Sequence, residues 1–461
     1  MNRRSFLQTL TAATFAAPGL KAAAPAPPNI ILILADDLGY GDIGSFGSRI
    51  PTPFLDQMAK EGIRGRNFYA PAAVCSPSRA GILTGRYAAR MGCAGVLMPN
   101  DEGGLPADET TIARMLKSTG YRTACIGKWH LGSAPGFLPN DHGFDTYFGI
   151  PYSHDMLPLP LYRNRTVIDR RPALELLTAQ FTSEAVNFIN ASKDKPFFLY
   201  LAHTAPHIPL ITGRAFRGFS GFGHYGDMVA ELDDSCGKIM DAVRKAGLDE
   251  NTLIVFTSDN GPWYEGTAGR FRGRKGETWD GGLRVPFIAR FPKRIAPNSV
   301  MDDDTYGLDL LPTFASVAGA SLPAKPSDGV DIWPLLNGSG KTVERDAFLF
   351  FDGIQLQAAR LGNFKLHVAR YNSPPWVEAP ASGRWNLPLP RPELYNVVTD
   401  PGESLNIVAE RPRIAAQIRD AIDRVMLTFP ADVQAAWRDT LQRVVIETPP
   451  GAVPVLSQQQ P

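Results

Sequence analysis

The chain has 461 residues, 44% of them hydrophobic and 20% charged, an ordinary soluble globular make-up with enough length for one large core and one smaller one. Its 47 basic and 46 acidic residues leave a formal net charge of +1, so bulk charge gives no reason to expect nucleic acid or an anionic membrane as a partner. Any anion the protein handles must be met by groups placed locally.

The first 26 residues read as a processing segment. Asn2-Arg3-Arg4-Ser5-Phe6-Leu7 is a twin-arginine opening, followed by an apolar run over 6–20 and small residues over 22–26. The run contains Pro18 and is too short to span a bilayer comfortably. Twin-arginine export machinery is therefore an expected partner, and the periplasm or the medium the expected destination. Cleavage after Ala24 and after Ala26 both stay open, since each places a proline just beyond the cut. Such export moves folded proteins, which agrees with a chain of only four cysteines, Cys75, Cys93, Cys125 and Cys236.

Short apolar runs at 30–35, 123–127, 197–202 and 253–258, separated by helix-like segments, predict a mixed, mostly parallel α/β sheet flanked by helices. A helix is expected over 227–246, where Val229, Leu232, Cys236, Ile239 and Val243 form one stripe and Gly247 marks the stop. A second runs over 111–119 to Gly120. The proline-rich stretch 321–334 marks a boundary. Beyond it, strands at 347–351, 364–369 and 393–398 and a helix over 413–429 predict a smaller antiparallel sheet with a helix on it. The expected division is a leader (1–26), a catalytic domain (27–335), a C-terminal α+β subdomain (336–446) and a disordered tail (447–461). There is no internal repeat, and no spanning helix is expected after the leader.

In open α/β sheets, ligands bind at the carboxyl ends of the strands. Here each clear run leads into ionisable groups: Asp36-Asp37 after the first, Lys128-Trp129-His130 after the second, His203 and His207 after the third, Asp259-Asn260 after the fourth. Taken singly these residues also read as turns, caps, solvated loops or structural histidines, and the basic loop 270–275 as a solvated face. Taken together they describe one converging polar site. Paired carboxylates with a distant Asp-Asn supply the oxygen ligands that a hard cation takes. Cys75-Ser76-Pro77-Ser78-Arg79, followed by Thr84-Gly85-Arg86, adds a cysteine at a helix mouth, with Ser76 as the expected N-cap and Pro77 in the first helical position. An ordinary reactive thiol is the local alternative.

This last run is the C-x-P-x-R signature with its trailing T-G, and through it the chain resembles the type I sulfatases of the alkaline-phosphatase-like superfamily, with arylsulfatase A and N-acetylgalactosamine-6-sulfatase the nearest in pattern. The likeness extends over ordered blocks from about residue 29 to about 337: ILADDLGYGD, PTPFLDQMAKEG, CSPSRAGILTGR, GKWHLG, HGFD, GIPYSHD, FTSDNG and GRKGETWDGGLRVP. A later ELYNVVTDPGE block reaches Glu403. The resemblance implies that a maturation enzyme oxidises Cys75 to formylglycine, whose hydrate is the nucleophile in hydrolysis of a sulfated small molecule or saccharide. It implies Ca²⁺ held by Asp36, Asp37, Asp259, Asn260 and an oxygen of modified Cys75. It further implies that Arg79 and Lys128 hold the formylglycine, that His130 is its base, and that Lys128, Ser153, His207 and Lys275 contact the substrate. His154 belongs near the entrance, and His203 has no counterpart. A formylglycine-dependent phosphodiester or phosphonate monoester hydrolase is the alternative; such enzymes carry Asp-His where this chain has Asp259-Asn260. Trp376 and Trp385 are candidates to stack on a sugar, with packing or exposed-loop roles equally open.

Overall fold

The computed structural model describes residues 27–340, 345–373, 383 and 385–444. The leader, the distal tail and Trp376 lie outside the described residues. Ten strands form the large sheet: β1 Asn29–Ala35, β2 Ile63–Tyr69, β3 Arg122–Lys128, β4 Thr146–Ile150, β5 Leu161–Arg163, β6 Thr166–Asp169, β7 Phe197–Ala202, β8 Thr252–Ser258, β9 Phe287–Arg290 and β10 Ser299–Tyr306. Their spatial order is β10-β2-β9-β8-β1-β7-β3-β4-β5-β6. The block β8-β1-β7-β3-β4 is parallel throughout. Antiparallel pairing enters at β9 and again at β5 and β6.

The apolar runs are continuous because these strands are covered on both faces. Along β1 the side chains divide by period two. Ile30, Leu32 and Leu34 enter one core with α2 Cys75–Thr84, α3 Ile112–Lys117 and α7 Leu310–Ala318. Ile31, Ile33 and Ala35 enter the other, with α1 Pro53–Glu61, α4 Leu177–Ala191 and α5 Gly223–Lys245. The stripe read from 227–246 is buried along α5, and that helix starts four residues before the expected Asp227. Two further short helices follow the basic loop and the proline-rich stretch, α6 Asp280–Leu283 and α8 Trp333–Leu336; Leu335 and Leu336 of the latter pack into the first core. Within the proline-rich stretch itself Ile332 is buried in the same core, while Leu322 near its start is exposed.

The smaller sheet is antiparallel, in the order β11 Phe348–Asp352, β12 Gln355–Leu361, β13 Phe364–Tyr371, β14 Asn386–Asn396. It carries α9 Pro412–Met426 and α10 Ala431–Arg443, and its core continues into Tyr69, Tyr87 and Tyr306 of the large body. Among the described residues no helix is long and apolar enough to cross a membrane.

Candidate active site

The four parallel strands β8, β1, β7 and β3 are immediate neighbours, and their register sets Ala35 beside Ser258, Leu34 beside Ala202, and Ala202 beside Gly127. Their carboxyl ends therefore lie level, and the polar residues after them share one crevice. Level packing at the tips needs Gly127: its φ is +111°, and a Cβ there would stand 1.8 Å from the Ala202 carbonyl oxygen.

The fifth contributor is α2, all ten of whose residues are buried. It begins at Cys75 itself, two residues before the expected first helical position at Pro77, with Val74 in the N-cap position and no side-chain cap. Ser76, already inside the helix, accepts the Leu97 N–H on its Oγ at 3.1 Å, and Pro77 occupies the third helical position, where a missing N–H is still harmless. Arg79, one turn in, is fully buried. Its Nε and Nη2 donate to Asp259 Oδ2 at 3.0 and 2.8 Å, and Nη1 donates to the Lys128 carbonyl at 3.0 Å. One guanidinium thus ties together α2 and the tips of β8 and β3.

Asp36, Asp37, Cys75 and His207 place one ligand-capable atom each within 4.8 Å of one another. Lys128 Nζ donates to Asp36 Oδ2 at 2.6 Å and Lys275 Nζ to Asp37 Oδ2 at 2.8 Å. Asn260 Nδ2 donates to Asp37 Oδ1 at 2.8 Å, and the Asp37 N–H donates to Asp259 Oδ1 at 3.2 Å. Cys75 Sγ lies 3.7 Å from Asp36 Oδ1. Asp37 and His130 both sit in the left-handed region, at φ +63° and +59°, a strain that the surrounding contacts must hold.

Burial works against the charge of Asp36, but Lys128, His207, Arg79 and Lys275 outweigh it and hold its carboxyl well below the usual range. Burial also opposes the charge of Lys275, and Asp37, followed by Cys75 and Asp36, keeps that ammonium above the ordinary lysine range. Burial and the adjacent Asp36 charge push Asp259 upward. His130 is held well below its ordinary value by burial, then by Lys128 and Arg79, so it is neutral. Its Nε2 meets the Leu97 carbonyl at 3.0 Å, which places the ring proton there and leaves Nδ1 as a buried, unpartnered acceptor. His207 is lowered by burial as well, its Nδ1 lying 2.5 Å from the Ile208 carbonyl and its Nε2 3.6 Å from Asp37 Oδ2.

The donor set fits a hard cation. Asn260 Oδ1 is buried without a partner, and the Nε2 of a neutral His207 would face the Asp37 carboxylate acceptor to acceptor. Three carboxylates (Asp36, Asp37, Asp259) stand against three fixed cations (Arg79, Lys128, Lys275), so an added divalent ion would leave the crevice positive toward an anionic substrate.

Asp36, Asp37, Cys75, Arg79, Lys128, His207, Asp259, Asn260 and Lys275 are brought together by these contacts, and His130 follows Lys128 at the tip of β3. Ser153 is buried with an unpartnered Oγ, and the His154 ring lies 5.6 Å from that of His207. His203 stands apart: its Nε2 meets Ser235 Oγ of α5 at 2.9 Å, a packing contact. Trp385 is exposed. The link from Ser76 through the Leu97 backbone to His130 was not foreseen, because Leu97 takes part only through its peptide groups, which a sequence does not distinguish. All four cysteines are free and buried.

The sulfatase family profile matches residues 28–320. Arylsulfatase A of Bos taurus is 41% identical, over 91% of this chain and 90% of its own length. N-acetylgalactosamine-6-sulfatase of Mus musculus is 37% identical, over 92% of this chain and 86% of its own. The solved structure of Ps i-CgsB in complex with k-i-k-neocarrahexaose superposes with a TM-score of 0.76 at 29% identity, covering 90% of this chain and 97% of that one. With the crevice, the buried signature helix and these relatives in agreement, the chain belongs to the sulfatase family and is a sulfuric ester hydrolase of alkaline-phosphatase-like fold.

Proposed function

We propose that the protein hydrolyses aryl or carbohydrate sulfate monoesters through Cys75 converted to formylglycine, with Ca²⁺ held by Asp36, Asp37, Asp259, Asn260 and an oxygen of the modified residue. The observation that carries this reading is the convergence of Cys75, Asp36, Asp37 and His207 within 4.8 Å at the mouth of a fully buried helix. When present, the hydrated formylglycine supplies an oxygen nucleophile and the ion a Lewis acid that withdraws charge from the sulfuryl oxygens.

The chain's own residues then have distinct tasks. Arg79 and Lys128 fix residue 75 against the tips of β8 and β3. Lys128 and Lys275 face the charge that spreads over the sulfuryl oxygens. Lys275, held protonated beside Asp37, meets the leaving oxygen with positive charge, and His207 stands against the same carboxylate to contact the substrate. His130, neutral and with Nδ1 free, accepts the proton released when sulfate is expelled. Ser153 offers a buried hydroxyl to the substrate.

The saccharide reading draws on a relative named as an N-acetylgalactosamine-6-sulfatase and on a neighbour solved with a neocarrahexaose. Asn260 in place of histidine favours sulfate over phosphonate and phosphodiester. The twin-arginine leader supports export to the periplasm or the medium, and a formylglycine-generating enzyme is the required partner in maturation. Parallel assays of the purified enzyme on nitrophenyl sulfate and nitrophenyl phosphate esters, before and after chelation and Ca²⁺ readdition, test this reading. We expect sulfate turnover that chelation abolishes and Ca²⁺ restores; preference for a phosphate ester, or full activity after exhaustive chelation, would overturn it.

A further inference from the structure

The ELYNVVTDPGE block ends at Glu403, more than a hundred residues beyond Lys275, and the site described above gives it no task. In the fold it lies behind the loop that carries Lys275, where the two sheets meet. Asp280, Arg360, Lys365, His367 and Glu403 are buried there to 1% exposure or less. Glu403 Oε1 accepts the Asp280 N–H at 2.7 Å and lies 3.4 Å from Lys365 Nζ, and its Oε2 meets His367 Nε2 at 2.6 Å. Its backbone carbonyl accepts Arg272 Nη1 at 3.0 Å. Lys365 Nζ also donates to Asp280 Oδ1 at 2.8 Å. The Trp279 ring lies 4.2 Å from His367, with the Arg272 guanidinium 3.9 Å from the indole.

Glu403 thus holds the loop at both ends, at Arg272 and at Asp280, with Lys275 between them. The stretch between is closed by the Gly281 N–H on the Arg272 carbonyl at 2.6 Å. It is tied to the site by the Lys275 N–H on the Pro262 carbonyl at 3.0 Å and the Gly276 N–H on the Ala73 carbonyl at 2.7 Å. Glu403 occupies this place at φ +46°, a conformation glutamate rarely adopts, which the surrounding bonds must hold.

We propose that Glu403 is a positioning residue for the reaction: through Asp280, Arg272 and Trp279 it fixes the loop that presents Lys275 to Asp37 and to the sulfate group. The inference rests on the sulfate-binding role proposed for Lys275. Lysine carries its charge on a long flexible stem, so the backbone beneath it decides where the ammonium can stand, and misplacement by about 1 Å can cost up to ~100-fold in rate.

The test is steady-state kinetics on the matured full-length enzyme with nitrophenyl sulfate, with inorganic sulfate as competitive inhibitor. Glu403→Gln keeps the shape and an acceptor for the Asp280 N–H but removes the charge facing Lys365 and His367. Arg272 is exposed, so Arg272→Met loosens the same grip without opening the buried cluster, and it carries the test should Glu403→Gln fail to fold. Each variant is expected to lower kcat/KM by ~10-fold, mainly through KM, with a parallel loss of sulfate inhibition. Placed on Lys275→Ala, each should cost less than ~2-fold, because the group it positions is gone. A folded Arg272→Met or Glu403→Gln enzyme with unchanged KM and sulfate inhibition would overturn the proposal, as would an undiminished loss on the Lys275→Ala background. Wild-type kinetics in Lys275→Ala alone would instead remove the assignment of Lys275, and the inference with it.

Discussion

At residue 75 the encoded thiol is poorly suited to nucleophilic work. Burial, only partly offset by Lys128 and Lys275, pushes it up to about 12, so it is protonated at neutral pH. A hydroxyl in its place would attack once and then lack a second oxygen with which to expel sulfate. Cys75→Ser is therefore expected to retain sulfate covalently and to lose turnover by roughly a thousandfold, read by intact mass after incubation with substrate; rapid multiple turnover would contradict this. Ser76 acts at one remove. Its Oγ holds the Leu97 N–H, and the Leu97 carbonyl holds His130. Removing that bond in Ser76→Ala should lower kcat by ~3- to ~10-fold, with formylglycine content measured alongside; unchanged kcat in fully matured protein would show that His130 needs no such support.

Among elements, the four strands that carry the site were legible because a strand covered on both faces reads as an unbroken apolar run. The start of α2 was misplaced because Ser76 looks like a cap, while its hydroxyl is taken by a loop twenty-one residues away in sequence. In the smaller sheet β12 escaped notice because it buries Gln357 and Arg360, polar residues that interrupt its apolar pattern. β14 runs further back than expected, through Pro388, Pro390 and Pro392, which an edge strand tolerates. α10 gave little signal, since Val433, Trp437 and Thr440 are its only buried positions. Level strand tips are the element-scale requirement for the site. Gly127→Ala would force a Cβ against the Ala202 carbonyl at a positive φ, and a loss of about 3 kcal/mol or more is expected in denaturant unfolding. Wild-type stability in that variant would show that β3 and β7 can separate without penalty.

Over the whole molecule, the central sheet divides two cores, and its buried histidines make stability depend on pH. Burial lowers His203 to about 3 from an ordinary 6.5. A depressed folded-state value means that its contribution is fully present above 6.5 and is lost as pH falls toward 3, because the unfolded chain takes up the proton first. His203→Gln should therefore flatten the dependence of unfolding free energy on pH between about 6 and 4 by close to one proton, or ~1.4 kcal/mol per pH unit. Chemical denaturation across that range checks it, and an unchanged slope would assign the acid sensitivity elsewhere. Net charge and composition, read first, bounded the partners but gave no hint of this, since a buried histidine and an exposed one are the same letter.

The chemistry proposed for the crevice depends above all on what residue 75 has become. Mass spectrometry of the peptide spanning Cys75, taken from active protein purified from its native host, tests this most directly. The account predicts an aldehyde, or its hydrate, in place of the thiol, in proportion to specific activity. An unmodified thiol throughout, in protein that still turns over sulfate esters at full rate, would contradict it.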